Sequence, residues 1–369
     1  MGWKNQVMEI GVGCASLLSK PFMPKSENIK SIFILRNNGL GDLLCTTPLF
    51  QALHNHYPSA KITLGIGDWH QDLIEGNPYI HEIIRINAPW HNQFKIPNSF
   101  LDIVSYIMFS REAKGLGRKK FDLGIDVLGS QWGSLLLIRC KIPFRLGVRG
   151  YAGGYRGTNR YIEFDSETHV GRASLKMGEL VGTKKTGSLE PQLYLTKNEL
   201  ESGQSNWKDH ASPKIIIAPG GSFSEKCWPI ESYKELVELL CRSNIQIILL
   251  GGNDDVQLGK KLELLSANII NLIGKKTLRE SCSIVATSDL IISNSSFLMH
   301  VAAAYDIPNY VLLGDWYNSA ELHKKQWGHS NTYIFGRETD KNFHNLIYPE
   351  DIFQKLDKHF NLNTINITK

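Results

Sequence analysis

The sequence predicts an α/β fold of two doubly wound parallel sheets facing one another across a cleft, with one more helix at the C-terminal end. Three observations carry this expectation. At 369 residues the chain is too long for one ordinary core and suits two domains of about 100 to 200 residues each. Short apolar runs alternate with helical periodicities twice, over 32–140 and again over 215–313, as parallel strands alternate with covering helices. Several of the runs end in glycines followed by a carboxylate, a lysine or serines, and strand ends are where open α/β sheets place their chemistry.

Composition narrows the partners. Hydrophobic content of 42% and charged content of 21% are those of a soluble globular chain. The net charge of +5 is uneven: residues 1–185 carry 23 Lys and Arg against 15 Asp and Glu, and residues 186–369 carry 18 against 21. The first half therefore favours an anionic partner or an anionic membrane surface. Nucleic acid is disfavoured, because no basic helix with interleaved aromatics accompanies the charge. Six scattered cysteines, Cys14, Cys45, Cys140, Cys227, Cys241 and Cys282, contain no C-x-x-C pair. They predict reduced thiols of a cytosolic protein rather than disulfides or a zinc site. His54 and His56, two apart on a predicted helix, point in different directions and make no metal pair.

Residues 1–29 read as an N-terminal extension. Its stretch 7–18 is apolar but interrupted by Glu9 and too short to span a bilayer. A helix resting on a membrane and a plain packing or disordered extension are both open readings. The first domain follows over 30–185, with a strand at 32–35, a helix at 43–56, a strand at 61–66, a short helix at 71–75 and a strand at 82–86. Between the first two elements lies Arg36-Asn37-Asn38-Gly39-Leu40-Gly41-Asp42-Leu43-Leu44-Cys45-Thr46-Thr47-Pro48. Without Gly-Lys-Ser/Thr and without a third glycine it is neither a Walker loop nor a dinucleotide fingerprint. Asp42, at the mouth of the next helix, is the leading catalytic candidate; helix capping is its plainer role. Asn38, Gly41 and Thr46 are its candidate neighbours.

A longer helix is expected over 98–114, where Phe100, Leu101, Val104, Ile107 and Met108 fall at helical spacing. The basic residues Arg111, Lys114, Arg118, Lys119 and Lys120 close it, and a membrane-resting face and a core-packed helix with a solvated end are both consistent with that. A strand at 121–127 and a helix at 131–140 come next. The glycine-rich stretch 145–160 reads as a long loop carrying Arg145, Arg149, Arg156 and Arg160. It is either an anion clamp or mobile surface, since arginine grips phosphate or carboxylate with two parallel hydrogen bonds. A helix at 170–181 and a Gly/Thr/Lys-rich linker at 182–190 end this half.

The second domain, 186–348, has strands at 215–218, 246–250, 269–272, 290–293 and 310–313, alternating with helices at 232–241, 256–265, 278–287 and 299–305. Residues 349–369 form a C-terminal helix, over 350–360, and tail. Three strand ends stand out. Gly220, Gly221, Ser222, Ser224 and Lys226 offer backbone N–H groups, hydroxyls and a charge suited to phosphate. Asp254 or Asp255 follows the next strand, placed to accept from a ribose hydroxyl or to cap a helix. Asn294, Ser295 and Ser296 precede an Ala-rich helix bearing Met299 and His300, whose N-terminal end is an anion site or a set of mere caps.

Taken in order, these segments resemble the family-9 glycosyltransferases, typified by lipopolysaccharide heptosyltransferases. That family's N-terminal signature, G-D-x-x-x-T-T-P-x-x-x-x-L followed by Y-P-x-A-x-I, is matched by Gly41-Asp42, Thr46-Thr47-Pro48, Leu53, Tyr57-Pro58 and Ala60-Lys61-Ile62. Its P-G, K-x-W-P and G-x-x-x-L-x-E segments are matched by Pro219-Gly220, Lys226-Cys227-Trp228-Pro229, and Gly274, Leu278 and Glu280. The last signature, N-D-S-G-x-M-H-x-A-A-A, is matched in part by Asn294, Ser296, Met299, His300 and Ala302-Ala303-Ala304.

The resemblance implies a GT-B architecture with the acceptor on the first domain and a nucleotide-sugar on the second. It implies inverting, metal-independent transfer from ADP-heptose to an anionic lipopolysaccharide core, in the cytoplasm or at the inner face of the bacterial inner membrane, with no cofactor. Asp42 would be the general base, Lys226 and Ser222 would bind the donor diphosphate, and Asp254 would hold the ribose. Where the family has Asp-Ser-Gly this chain has Ser295-Ser296-Phe297. That departure leaves open a degenerate homologue that binds a glycan or partner without turnover, and an epimerase of related fold is a further reading.

Overall fold

The computed structural model describes residues 3–19, 22, 24, 28–90, 99–184, 188–208, 211–338, 347–360 and 362. The chain forms two units, Met1–Gln192 and Leu193–Lys369. The first begins with helix α1 (Trp3–Leu18), strand β1 (Ser31–Leu35), helices α2 (Leu40–Leu44) and α3 (Thr47–His56), β2 (Lys61–Ile66), α4 (Gln71–Ile74) and β3 (Glu82–Arg85). It continues through α5 (Phe100–Phe109), α6 (Arg111–Arg118), β4 (Leu123–Asp126), α7 (Gln131–Arg139), β5 (Phe144–Arg149), β6 (Arg160–Glu163) and α8 (Val170–Glu179). The second unit comprises α9 (Lys197–Gln204), β7 (Lys214–Ala218), α10 (Ile230–Leu240), β8 (Gln246–Leu249), α11 (Val256–Glu263), β9 (Ile269–Asn271) and α12 (Leu278–Ala286). Then come β10 (Leu290–Ser293), α13 (Phe297–Ala304), β11 (Asn309–Leu312), α14 (Ala320–Trp327), β12 (Thr332–Phe335) and α15 (Pro349–Phe360).

Each unit holds one six-stranded sheet, in the orders β3-β2-β1-β4-β5-β6 and β12-β11-β10-β7-β8-β9. Every pairing in both is parallel. Parallel strands buried on both faces read as continuous apolar runs, and Ser31-Ile32-Phe33-Ile34-Leu35 and Lys214-Ile215-Ile216-Ile217-Ala218 bury all but their first residue. Counted along each unit, both sheets have the doubly wound order 3-2-1-4-5-6, whose switch point lies where the strand order reverses. In the first sheet that is between β1 and β4, and in the second between β7 and β10.

Three expectations change. The expected helix over 43–56 is two helices, α2 and α3, with Pro48 in the first turn of α3. The expected helix over 98–114 is also two, because Ser110 turns the backbone to extended values and caps α6 by accepting from Ala113 N at 3.0 Å; its expected first residue, Asn98, lies outside the described residues, as do 185–187 of the expected linker. The loop expected over 145–160 shortens to 150–159, since residues 145–149 belong to β5 and Arg160 opens β6, which pairs with β5 in parallel. Within the N-terminal extension, α1 packs on α7 and on the turn Tyr155–Gly157, in line with the packing reading. Strand β12 and helices α9 and α14 were not legible in the apolar pattern.

Candidate active site

At the end of β1 the chain places a buried cation against Asp42. Arg36 Nη2 lies 2.9 Å from Asp42 Oδ1, with Arg36 4% and Asp42 26% exposed, and Arg36 Nε donates to the Asp42 carbonyl at 3.4 Å. Asp42 sits in the first turn of α2, where an anion is favoured by the helix dipole. Its Oδ2 lies over Gly39, where a Cβ would stand 2.6 Å away. Gly39 has ordinary extended angles, φ −88 and ψ 154, so glycine is needed here for space and not for backbone freedom. One carboxylate oxygen is thus anchored while the other makes no hydrogen bond among the described residues.

The neighbours divide. Thr46, fully buried, donates its hydroxyl to the Asp42 carbonyl at 2.8 Å, so it positions the turn and is not available to an acceptor. Gly41 is the second residue of α2. Asn38 is half-buried, and its Oδ1, like Nδ2 of the buried Asn37, has no partner among the described residues. Buried polar atoms without partners point to a ligand. Beneath the turn, Trp69 Nε1 donates to the Asn38 carbonyl at 3.3 Å and to His70 Nε2 at 3.1 Å, and burial lowers the His70 pKa to about 4. At the end of β4, in register with Leu35, Asp126 is buried and accepts from Leu128 N, Ser130 N and Ser130 Oγ. Burial raises its pKa to about 6 against those hydrogen bonds.

The arginine clamp is not assembled. Arg145 is fully buried and donates to the carbonyls of Gly157 at 2.7 Å and Ile142 at 2.5 Å and to Ser16 Oγ at 2.9 Å. Its guanidinium is used inside the unit, tying α1 to β5, and burial lowers its pKa to about 10. Arg149 pairs with Glu163 and donates to Tyr161 Oη at 2.9 Å. Arg156 lies 3.8 Å from Glu9 and donates to Tyr155 Oη at 3.1 Å. Arg149 and Arg156 remain exposed but each already faces a carboxylate; Arg160 donates to the Leu180 carbonyl.

In the second unit the segment after β7 is exposed over 221–225 and turns through a short helix, Ser224–Lys226. Gly220 is required by the Asp255 carboxylate, 2.1 Å from where its Cβ would be, and Gly221 by Cys227 Sγ at 2.7 Å. Ser222 is exposed, Ser224 Oγ donates to Glu225, and Lys226 Nζ lies 4.5 Å over the Phe223 ring. Phe223 meets Trp316 edge-on at 5.0 Å. Asp254 is exposed, whereas Asp255 faces this segment and accepts from Gly252 N at 2.9 Å.

Asn294, at the end of β10, is fully buried and saturated. Its Oδ1 accepts from Trp228 N at 2.9 Å and Tyr233 Oη at 3.1 Å, and its Nδ2 donates to the carbonyls of Pro219 at 2.7 Å and Gly220 at 3.1 Å. It therefore shapes the loop and does not touch a ligand itself. Met299 is likewise core, packed in a cluster with Val311, Leu313 and Ala320, and His300 is buried with Nδ1 2.9 Å from His329 Nε2. Ser295 Oγ donates to Met299 Sδ at 4.0 Å, and Ser296 Oγ is buried without a partner among the described residues. His323 is buried beside Tyr317, rings 4.6 Å apart, with Nε2 unpartnered. Burial, and then the charge of Lys226, lower its pKa to about 4. Arg36, His70, Asp126, Tyr317 and His323 escaped the sequence reading; only Arg36, abutting an apolar run, left a signal there.

The chain matches the family model described as glycosyltransferase family 9 (heptosyltransferase) over residues 109–346. It is 27% identical over 299 residues to lipopolysaccharide heptosyltransferase 2 of Salmonella typhimurium, covering 77% of this chain and 82% of that one. It is 27% identical over 290 residues to lipopolysaccharide heptosyltransferase 3 of Escherichia coli, covering 74% and 79%. Among solved structures, the ADP-heptose heptosyltransferase II of Escherichia coli superposes with a TM-score of 0.73 at 22% identity, over 90% of this chain and 98% of that one. The Escherichia coli heptosyltransferase WaaC with ADP-2-deoxy-2-fluoro heptose gives 0.69 at 18%, over 89% and 99%.

Proposed function

The chain belongs to glycosyltransferase family 9, and from that premise we propose that it transfers a heptose or similar sugar, with inversion, from ADP-heptose to a lipopolysaccharide core. The donor and acceptor classes come from the relatives' names; the residues of this chain supply the chemistry. Asp42 is the general base. Arg36 fixes Oδ1, and the clearance over Gly39 leaves Oδ2 for the acceptor hydroxyl. As that hydroxyl oxygen bonds to the anomeric carbon, its proton passes to Asp42 and the bond from that carbon to the diphosphate breaks on the opposite face. The diphosphate takes the electron pair, and Lys226, with Ser222, Ser224 and the backbone N–H groups of Gly220 and Gly221, neutralises its charge without a metal. Ser295, Ser296, Tyr317 and His323 line the donor side where the family's aspartate is absent. The reaction takes place in the cytoplasm, at the inner face of the inner membrane where a lipid anchors the acceptor.

The observation that carries this reading is the Arg36–Asp42 pair over Gly39. Asp42→Asn keeps size and hydrogen bonding but cannot take a proton. It lowers kcat at least about a hundredfold while nucleotide-sugar binding, read by thermal shift, is retained. A fully active variant rejects the role of Asp42, and loss of donor binding rejects its restriction to the acceptor side.

A further inference from the structure

We propose that the outer face of α1, α7 and α5 in the first unit is a docking surface for an anionic phospholipid bilayer. This rests on the reading that the acceptor is lipid-anchored, and it names the surface that meets the membrane. On α1 the buried side is Val12 and Ser16, and the exposed side is Ile10, Cys14, Leu17 and Leu18, at helical spacing and without a charge. Leu17 is 76% and Leu18 84% exposed. On α5 the buried residue is Ile107, while Phe100, Leu101, Met108 and Phe109 are exposed, Leu101 at 73% and Phe109 at 65%. Both helices pack against α7. The Phe100 ring meets Trp132 of α7 edge-on at 5.6 Å, and Ser16 reaches Arg145 of β5. On α7, against which both helices pack, Trp132, Leu135 and Ile138 are half-exposed.

Soluble proteins rarely leave apolar residues exposed together on adjacent helices unless something covers them. The surrounding charge says what does. Arg111, Lys114 and Arg118 of α6, with Lys120 beyond it, are exposed next to α5. The two acids of that stretch are engaged locally: Asp102, exposed in the first turn of α5, accepts from Ser99 N at 3.0 Å as the helix cap, and the half-buried Glu112 accepts from Asn87 N at 2.8 Å and from Tyr106 Oη. Arg139 and Lys141 add charge at the far end of α7. An apolar face whose exposed charges are basic apart from the capping Asp102 suits the headgroup region of an anionic leaflet. No helix among the described residues is long and apolar enough to cross a membrane, so the contact is superficial.

The test is flotation of the full chain with vesicles of phosphatidylethanolamine and phosphatidylglycerol, against phosphatidylcholine alone, at increasing salt. The protein is expected to float with the anionic vesicles and to be released by salt. Leu101→Glu with Phe109→Glu, and separately Leu17→Glu with Leu18→Glu, reduce partitioning at least about tenfold, and Arg111→Glu with Lys114→Glu by about fivefold or more per charge. Circular dichroism melts confirm folding, and Leu101→Gln with Phe109→Gln serves where the glutamates unfold α5. Equal flotation with neutral vesicles, no flotation, or unchanged variants overturn the proposal. So does a wild-type dimer by light scattering that the Leu101 and Phe109 variants convert to monomer. Transfer to a deacylated, water-soluble core oligosaccharide is measured in parallel. It persists if only the docking surface is wrong, and is absent even in the wild type if the transferase reading itself is wrong.

Discussion

The hydrogen on Gly39 that replaces a Cβ decides where the Asp42 carboxylate sits. Because its backbone angles suit any residue, Gly39→Ala does not strain the turn; the added carbon, 2.6 Å from Oδ2, displaces the carboxylate instead. The expected result is a kcat reduced by roughly ten- to a hundredfold, since small misplacements of a reacting group are costly, with a melting temperature close to wild type. An unchanged kcat would show that Oδ2 is not held by this contact. Arg145 shows the opposite profile. Its three hydrogen bonds end on buried carbonyls and a buried hydroxyl, so Arg145→Leu leaves acceptors unsatisfied at about 1 to 3 kcal/mol each. Urea denaturation should show the variant less stable by about 3 kcal/mol or more, and a stable variant would restore Arg145 as a candidate for the acceptor.

At the scale of elements, Asn294 joins the end of β10 to the segment after β7, the two strands flanking the second switch point. Asn294→Asp keeps the shape but turns a donor of two hydrogen bonds into a carboxylate facing the Pro219 and Gly220 carbonyls. The segment after β7 then loses its fixed course. We expect nucleotide-sugar affinity, measured calorimetrically, to fall about tenfold or more, because an unpaired buried charge is worth several kcal/mol; unchanged affinity would mean that the segment does not contact the donor. The strands that carry these groups were legible, since buried β-branched runs such as Ile215-Ile216-Ile217 announce themselves. The stretch 145–160 was not, because its glycines serve packing: a Cβ on Gly147 would meet Thr158 Cγ2 at 2.9 Å, so glycine here admits a close approach of the connection that leads into β6. Helix α14 hid for another reason. Only Ala320 and His323 of its eight residues are buried, a stripe too narrow for periodicity to show. The Arg36–Asp42 pair spans six positions across a turn, a spacing that belongs to no regular element. Asp42 was therefore visible through its motif, while the cation that holds it needed coordinates.

For the molecule as a whole, the two units repeat one sheet order, yet their buried titratable groups respond differently to acid. His323 in the second unit has a folded-state pKa of about 4 against an ordinary 6.5. As pH falls the unfolded chain takes up the proton first, so this stability is complete above pH 6.5 and is lost on the way to pH 4. His70 does the same in the first unit. There, however, Asp126 titrates near 6 against an ordinary 3.8. The folded state takes up that proton first, so the cost of keeping Asp126 charged, present above pH 6, fades towards pH 3.8 and offsets part of what His70 loses. Differences between variants isolate each group. Relative to His323→Gln, the wild type should lose about 2 to 3 kcal/mol of stability between pH 7 and pH 4.5, measured by urea unfolding of the full chain. Relative to Asp126→Asn, the wild type should gain stability over the same interval. Parallel pH profiles for wild type and His323→Gln would mean that His323 is protonated alike in both states, and that its burial beside Lys226 does not suppress its charge.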